Sequence, residues 1–356
     1  MLNPSLSPAE TCVYCPNLCL HACPVSNAEQ RNTVSPWAKM SLVHWLERGN
    51  VNWNVENAAI LYKCTGCGAC QSACAHGVDV ARTLMLARQQ AVEKGVSPYS
   101  KELFVRPNQT HREFDAESVD DSRTLLFVGC HCSDADPKVE SATVAVLNHL
   151  GFGPVRLGPG ICCGYPLLAG GYRESFVQQA HDIVSSVGRC EFVAVGAGVC
   201  HQTLLHFFPE VGVSVVNVVT VIELALRGLI REDLPISTLP GHYAWHESCA
   251  FTRRSKLRDT TRQLLARLLT EDVAELRWSG ESSHCCGAAG GFCRTSPDSA
   301  RQAGANILQM AKDTGASSVV SFDPQCAAHL RASSTDKDLL VVDGIVLIAQ
   351  SLGLTY

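Results

Sequence analysis

The sequence predicts an α+β multidomain chain: a helical N-terminal module followed by two pseudo-repeated α/β domains. Three observations predict it. Of the 19 cysteines in 356 residues, eight form two runs of four in the first hundred residues. The segment around those runs has helical spacing of its apolar residues. The rest of the chain alternates short apolar strands with amphipathic helices, twice and in the same order. The predicted divisions are a helical module over 1–96, a polar linker over 97–122, and α/β domains over 123–238 and 239–356.

Composition narrows the function classes. The chain is 46% hydrophobic and 18% charged, enough for a packed core and too apolar for wholesale disorder. Its net charge of −5 and 6% aromatic content leave no broad basic field and few stacking platforms, so nucleic acid is excluded as a partner. Met1 to Glu10 has no basic start and no apolar run, so no signal peptide is read. The most apolar stretch, Val211 to Ile230, is broken by Asn217, Glu223 and Arg227 and falls short of a spanning helix. These features predict a cytoplasmic protein, with peripheral attachment to the inner face of the membrane left open. Stable disulfides are rare in that compartment, so grouped cysteines point to metal binding or redox chemistry.

Cys64, Cys67, Cys70 and Cys74 are spaced C-x2-C-x2-C-x3-C, the bacterial ferredoxin run for a [4Fe–4S] cluster. Small residues between them (Thr65, Gly66, Gly68, Ala69) let the backbone wrap a cube. Cys12, Cys15, Cys19 and Cys23 form a second run, one residue longer in the middle and followed by Pro24. In two-cluster ferredoxins the fourth cysteine of each run serves the other cluster. That rule pairs Cys12, Cys15 and Cys19 with Cys74, and Cys64, Cys67 and Cys70 with Cys23. Paired zinc sites are the competing reading, since C-x2-C also binds zinc. Between the runs, Ser35-Pro36 opens a helix with Trp37, Met40, Leu42, Val43 and Leu46 on its apolar face, and Gly49 stops it. Asn57 to Tyr62 and Val80 to Val92 also read as helices. The unit is a helical ferredoxin-like module with two [4Fe–4S] clusters.

In the first α/β copy a strand, Thr124 to Val128, leads to Gly129-Cys130. A helix capped by Asp136 follows, with Val139, Val146, Leu147 and Leu150 apolar and Gly151 as the stop. Then come Cys162-Cys163-Gly164, a helix over Glu174 to Val187, a strand over Phe192 to Val195, and Cys200. The second copy runs His242 to His246, Cys249, a helix with Leu257, Thr261, Leu264, Leu265 and Leu268 on one face, and Cys285-Cys286-Gly287. It closes with a helix opened by Ser296-Pro297, a strand over Ser318 to Phe322, and Cys326. Equivalent cysteines are offset by 119 (130 to 249), 123 (162 to 285) and 126 (200 to 326), which chance does not readily produce. Most of these cysteines follow strand ends, where open α/β sheets place ligands.

A cysteine, then Cys-Cys-Gly, then a late cysteine, present twice, resembles the cysteine-rich CCG domains. These occur in heterodisulfide reductase subunits and in the iron–sulfur subunits of glycolate oxidase, lactate dehydrogenase and anaerobic glycerol-3-phosphate dehydrogenase. The order of a ferredoxin module and two CCG domains is similar to the glycolate oxidase and glycerol-3-phosphate dehydrogenase subunits over nearly the whole chain. Ser35-Pro36, His246 ahead of Cys249, and the run Cys285 to Gly290 add to the likeness. The full heterodisulfide reductase motif ends in C-x2-C, giving five cysteines per domain. Here the first of that pair is Ala197 in one copy and Asp323 in the other. Each copy then offers four thiols: Cys130, Cys162, Cys163 and Cys200, and Cys249, Cys285, Cys286 and Cys326. Asp323 is a candidate oxygen ligand in the second. The resemblance implies up to two further iron–sulfur clusters in the CCG domains, and bare thiols are the alternative.

Three cysteines remain. Cys190 reads as a small buried hydrophobe, Cys132 as an alternate for Cys130, and Cys293 as a spare thiol in a glycine-rich loop. His131, His201, His246 and His284 beside the motifs read as hydrogen-bonding residues, with His246 or Glu247 as a candidate proton relay. The run Arg253, Arg254, Lys256 and Arg258 reads as a solvated helix start. Together these features predict an iron–sulfur electron-transfer subunit of an oxidoreductase. It relays electrons between a flavin-containing dehydrogenase subunit, acting on a 2-hydroxy acid or similar substrate, and a quinone or other carrier. The alternative is a heterodisulfide reductase-like subunit that reduces a disulfide at the CCG domains, and a zinc-stabilised scaffold is a third reading. With no flavin fingerprint, the chain is not expected to dehydrogenate a substrate alone, and its catalytic residues are unassigned.

Overall fold

The computed structural model describes residues 8–105, 123–127, 129, 137–158, 162–187, 190–196, 198–229, 234–253, 257–336 and 338–356. Cys130, His131, Cys132, Ala197, Arg254, Lys256 and most of the linker lie outside them.

The N-terminal module is helical: α1 (Pro8–Val13), α2 (Pro24–Glu29), α3 (Pro36–Glu47), α4 (Val55–Leu61), α5 (Ala69–Ser72) and α6 (Val80–Glu93). Local chemistry sets these ends. Ser35 caps α3, its hydroxyl accepting from Ala38 N at 3.2 Å, and Asn54 and Asp79 cap α4 and α6 the same way. Met40, Val43 and Leu46 of α3 pack on Leu61, Val80 and Leu84, a small apolar centre lined on one side by cysteines.

The first α/β unit runs β1 (Thr124–Phe127), α7 (Pro137–His149), β2 (Val155–Leu157), α8 (Tyr165–Gly170), α9 (Arg173–Val187), β3 (Phe192–Val195), α10 (Gly198–Gln202), β4 (Val218–Thr220) and α11 (Val221–Leu229). Its four strands are all parallel in the order β2-β1-β3-β4, with Thr124 opposite both Val155 and Phe192. The second unit runs β5 (Tyr243–Trp245), α12 (Cys249–Arg253), α13 (Arg258–Leu268), α14 (Phe292–Thr295), α15 (Pro297–Asp313), β6 (Ser318–Ser321), α16 (Pro324–Ser333), β7 (Leu340–Asp343) and α17 (Gly344–Ser351). Its order is β5-β6-β7, also parallel, and a bridge from Ala244 to Ala274 stands where β2 stands in the first unit.

Within the apolar stretch, Val218–Thr220 and Val221–Leu229 fold as β4 and α11. Asn217 precedes the strand, Arg227 lies in the last turn of the helix, and Glu223 sits where strand turns into helix, accepting from both the backbone and the hydroxyl of Thr220 at 2.9 Å. No helix among the described residues is long and apolar enough to cross a membrane. The two units meet reciprocally, α7 of the first against α17 of the second and α11 against α13. Leu147, Leu150 and Leu229 share one core with Leu264, Leu268 and Leu347. Burying a leucine contributes about 1.5–3 kcal/mol, so this seam holds the two units as one body.

The helical module docks across both units. Arg88 is fully buried and donates to the carbonyls of Leu61 (2.9 Å), Cys64 (3.1 Å) and Ala169 (2.7 Å). One guanidinium thus joins α6 to the cysteine loop and to α8. Tyr62 adds a hydrogen bond to Gly170 O at 3.0 Å. On the other side, Glu29 at the end of α2 accepts from Ser299 of α15 at 2.7 Å.

Candidate metal centres

Two groups of four cysteines form inside the module. Cys12 leaves α1 and Cys15 turns back on it, Cys15 N donating to Cys12 O at 3.0 Å. Cys12, Cys15, Cys19 and Cys74 line one cavity of about 360 Å³, with Cys70 of the second group, Tyr14, Leu18, Trp37 and His76 among its other walls. Burial pushes the Cys12 thiol up to about 12, helped by Cys19, Cys74 and Cys15, and pushes Cys19 up to about 11. The thiols raise one another because they stand close together, so holding all of them as thiolates would take a bound cation.

The second group is Cys23, Cys64, Cys67 and Cys70, which line a second, enclosed cavity with Lys39. Cys23 is the cap of α2, and its sulfur accepts from Ser26 N at 3.5 Å. Gly66 N donates to Cys64 Sγ at 3.4 Å. Burial pushes Cys23 and Cys70 up, while Lys39 pulls both down. Lys39 is 1% exposed and donates to Lys63 O at 2.5 Å. A buried ammonium needs nearby negative charge, and metal-bound thiolates of this group would supply it. Lys39 was legible in principle: it falls on the apolar stripe of α3 beside Met40 and Val43.

The third group lies at the carboxyl ends of β5 and β6. His246 follows β5, Cys249 opens α12, Cys285 and Cys286 come from the loop before α14, and Cys326 lies in the first turn of α16. Cys249 and Cys285 sulfurs are 3.9 Å apart, and Cys326 Sγ is 3.8 Å from Ser248 Oγ. A ring nitrogen of His246 and the sulfurs of Cys286 and Cys326 lie within 4.8 Å of one another, all buried. Cys67 packs with Cys249 and Cys285 in one buried cluster, and Cys285 draws the Cys67 thiol down. The second and third groups therefore share a wall.

Of the first repeat's cysteines, Cys162, Cys163 and Cys200 line a small cavity together with Cys293, Arg294 and Gln325 of the second repeat. Cys293 thus faces the first repeat's cysteines, across the seam from the Cys-Cys-Gly run that precedes it. The backbone brings the groups close. Gly66 has φ +73° and a side chain there would meet Tyr165 Oη at 2.7 Å, while one at Gly290 would meet Thr65 O at 2.8 Å. The cysteine loop of the module is pressed between both repeats, and only glycine fits at these contacts.

Three side chains take places other than those expected. Arg253 is not solvated: it donates to Cys67 O (2.9 Å), Ser283 O (2.6 Å) and Ser283 Oγ (3.0 Å), tying the module to the third group. Asp323 is fully committed as an acceptor, Oδ1 from Gln325 N at 3.0 Å and Oδ2 from Gly198 N and Ser248 Oγ, both at 3.1 Å. It caps α16 and joins the two repeats instead of offering a ligand oxygen. Glu247 is 2% exposed on its side chain and paired with Arg262 at 2.9 Å, so it is not a mobile proton carrier.

All-thiol groups of this kind suit thiophilic iron or zinc rather than hard cations. The four convergent sulfurs of the first group, around a cavity that large, fit a polynuclear centre better than a single ion.

Known proteins with similar sequences agree with this chemistry. The 4Fe-4S dicluster domain family matches residues 8–78, and the cysteine-rich CCG domain family matches residues 124–205 and 243–331. A component of the dihydromethanophenazine:CoB–CoM heterodisulfide reductase of Methanosarcina acetivorans is 26% identical over 83% of this chain and 78% of its own length. A component of the anaerobic glycerol-3-phosphate dehydrogenase of Escherichia coli is 28% identical over 65% of this chain and 59% of its own length. Lactate utilization protein A of Bacillus pumilus is 25% identical over 61% of this chain and 94% of its own length. A hypothetical protein from Helicobacter pylori shares the fold, with a TM-score of 0.62 at 10% identity over 88% of this chain and 67% of that one. The chain belongs to the proteins that join a 4Fe-4S dicluster domain to paired cysteine-rich CCG domains.

Proposed function

We propose that the chain is the electron-transfer subunit of an oxidoreductase complex, relaying electrons between a flavin-containing dehydrogenase subunit and a quinone or other carrier. The packing of Cys67 against Cys249 and Cys285 carries this reading, because it joins the module to the second repeat through ligand candidates of both. In this reading Cys12, Cys15, Cys19 and Cys74 hold one [4Fe–4S] cluster, and Cys23, Cys64, Cys67 and Cys70 hold another. Cys249, Cys285, Cys286 and Cys326 hold a third centre. Cys162, Cys163 and Cys200, with Cys130, are the corresponding set of the first repeat. Bound clusters of this type supply reversible one-electron storage. Tyr14 and Leu18, 80% and 66% exposed at the rim of the first group, offer the face at which a partner brings its redox centre within reach. Arg253 and Arg88 keep the module seated so that the spacing between groups stays fixed.

A disulfide-reducing role is the second reading, supported by the similarity to the heterodisulfide reductase component. Burial weighs against it. Cys249, Cys285, Cys286 and Cys326 are at most 8% exposed, so a disulfide substrate has no open approach to these sulfurs.

Two measurements on anaerobically purified protein test the proposal. About 8 iron per chain means two four-iron clusters and about 16 means four. Photoreduced flavin should then reduce the chain and a soluble quinone analogue should reoxidise it, with no response to disulfides. Reoxidation by a heterodisulfide but not by quinones would install the second reading. A colourless protein with stoichiometric zinc would overturn both.

A further inference from the structure

The donor set of the second repeat does not end with its four cysteines. Strand β5 delivers His246 directly beyond Trp245, and its backbone N–H is fixed to Val320 O at 2.9 Å, at the end of the neighbouring β6. The side chain is 2% exposed. Its ring lies over the same point as Cys286 and Cys326, with donor atoms of all three within 4.8 Å of one another. Nε2 has no hydrogen-bond partner, and the imidazole's polar neighbour is the Cys286 thiol, which it draws down. A buried polar atom left without a partner costs about 1–3 kcal/mol, and that cost is avoided when the atom binds a ligand. The other candidate for an additional donor, Asp323, has both oxygens engaged by Gln325, Gly198 and Ser248. Glu247, the acid next to His246 in sequence, is turned to Arg262 and to the backbone N–H of Gly280. No carboxylate among the described residues is hydrogen-bonded to the imidazole.

We propose that His246 is an iron ligand, making the second repeat a mixed Cys–His centre in which imidazole nitrogen, Cys286 and Cys326 grip one side and Cys249 and Cys285 the other. Neutral imidazole is an accepted donor to iron in sulfur-ligated clusters, and it raises the reduction potential relative to an anionic thiolate. The second repeat is then an electron sink reached through Cys67 and Cys285. This inference rests on the reading that the second repeat binds iron.

The test is pulsed electron paramagnetic resonance on reduced and oxidised full-length protein, unlabelled and with ¹⁵N-histidine. The expected result is a strongly coupled nitrogen of the directly bound class, changed in frequency by the label and absent from a His246→Cys variant that keeps its iron. That variant should also titrate at a more negative potential, since a thiolate replaces a neutral donor. Only weak nitrogen couplings in the labelled wild-type protein, with iron present in the second repeat, would overturn the inference and leave His246 a hydrogen-bond donor to sulfur. The labelled wild type needs no substitution, so a His246 variant that fails to fold does not remove the test. An iron count that a Cys285→Ser, Cys286→Ser double variant leaves unchanged would defeat the underlying reading instead. Zinc in place of iron at this centre, found by metal analysis of the wild type and that double variant, overturns the inference as well.

Discussion

The two cysteine groups of the N-terminal module offer the same four sulfurs in opposite surroundings. The first opens to solvent past Tyr14 and Leu18, and no buried cation lines its cavity among the described residues. The second is closed over by α2, α3 and the second repeat, with the ammonium of Lys39 beside it and Arg253 against Cys67. An added electron is negative charge: burial opposes it, and a fixed cation, little screened in a low-dielectric site, favours it. The difference teaches that ligand count alone does not set the direction of flow. The second group, packed against Cys285, is the one whose potential a buried cation is placed to raise.

The largest effect should come from cutting that contact. Cys67→Ser removes a ligand candidate of the second group and the sulfur that meets Cys285 at once. Partner-dependent reduction of the second repeat, followed by stopped-flow absorbance, should fall at least a hundredfold, while the first group keeps its spectroscopic signal. Unimpaired reduction would mean that electrons bypass the second group.

Lys39→Met sharpens the comparison without removing a sulfur. One charge roughly 8 Å from the centre is worth about 2 kcal/mol at an effective dielectric near 20, on the order of 100 mV for one electron. A redox titration should show the second group shifted negative by about that much and the first group unmoved. A shift of the first group, or of neither, would break the electrostatic account. Arg253→Gln is a milder cut. It loses the hydrogen bonds to Cys67 and Ser283, each worth about 1 kcal/mol. Hydrogen exchange should quicken in the loop of residues 279–285, with iron retained. Unchanged exchange there would make the arginine incidental to docking.

How much of this is legible in sequence depends on range. Cysteine spacing, the Ser35-Pro36 cap and the doubled Cys-Cys-Gly pattern are local, and they announce the module, the repeats and the thiol chemistry. β2, β4 and β7 escape a reading of the sequence, because three or four residues carry no usable alternation and gain their identity from parallel partners far along the chain. The placement of Arg253, Asp323 and Cys293 is hidden for the same reason. Each acts across a boundary: Arg253 on Cys67, Asp323 on Gly198, and Cys293 beside Cys162 and Cys200. Charge runs and single cysteines carry no information about the surface that another domain brings to them.

The smallest predicted effect concerns the outer seam of the same module. Glu29 accepts from Lys63 at 2.8 Å and from Ser299 at 2.7 Å, linking α2 to α15. Burial alone would raise its carboxyl, but those two hydrogen bonds and the charges of Lys63 and Arg31 outweigh it and hold it below 4.5. A depressed carboxylate contributes stability above its unfolded value and loses it only as pH falls through the folded one. Between pH 6 and 8 the contribution is therefore constant. Glu29→Gln should lower stability by about 1 kcal/mol at pH 8 and by the same amount at pH 6, read by urea denaturation of the anaerobic protein. A gap that narrows by pH 6 would mean that the carboxyl is raised, with burial winning over Lys63. The module would then be held to the second repeat by packing and by Arg253, and not by charge at this edge.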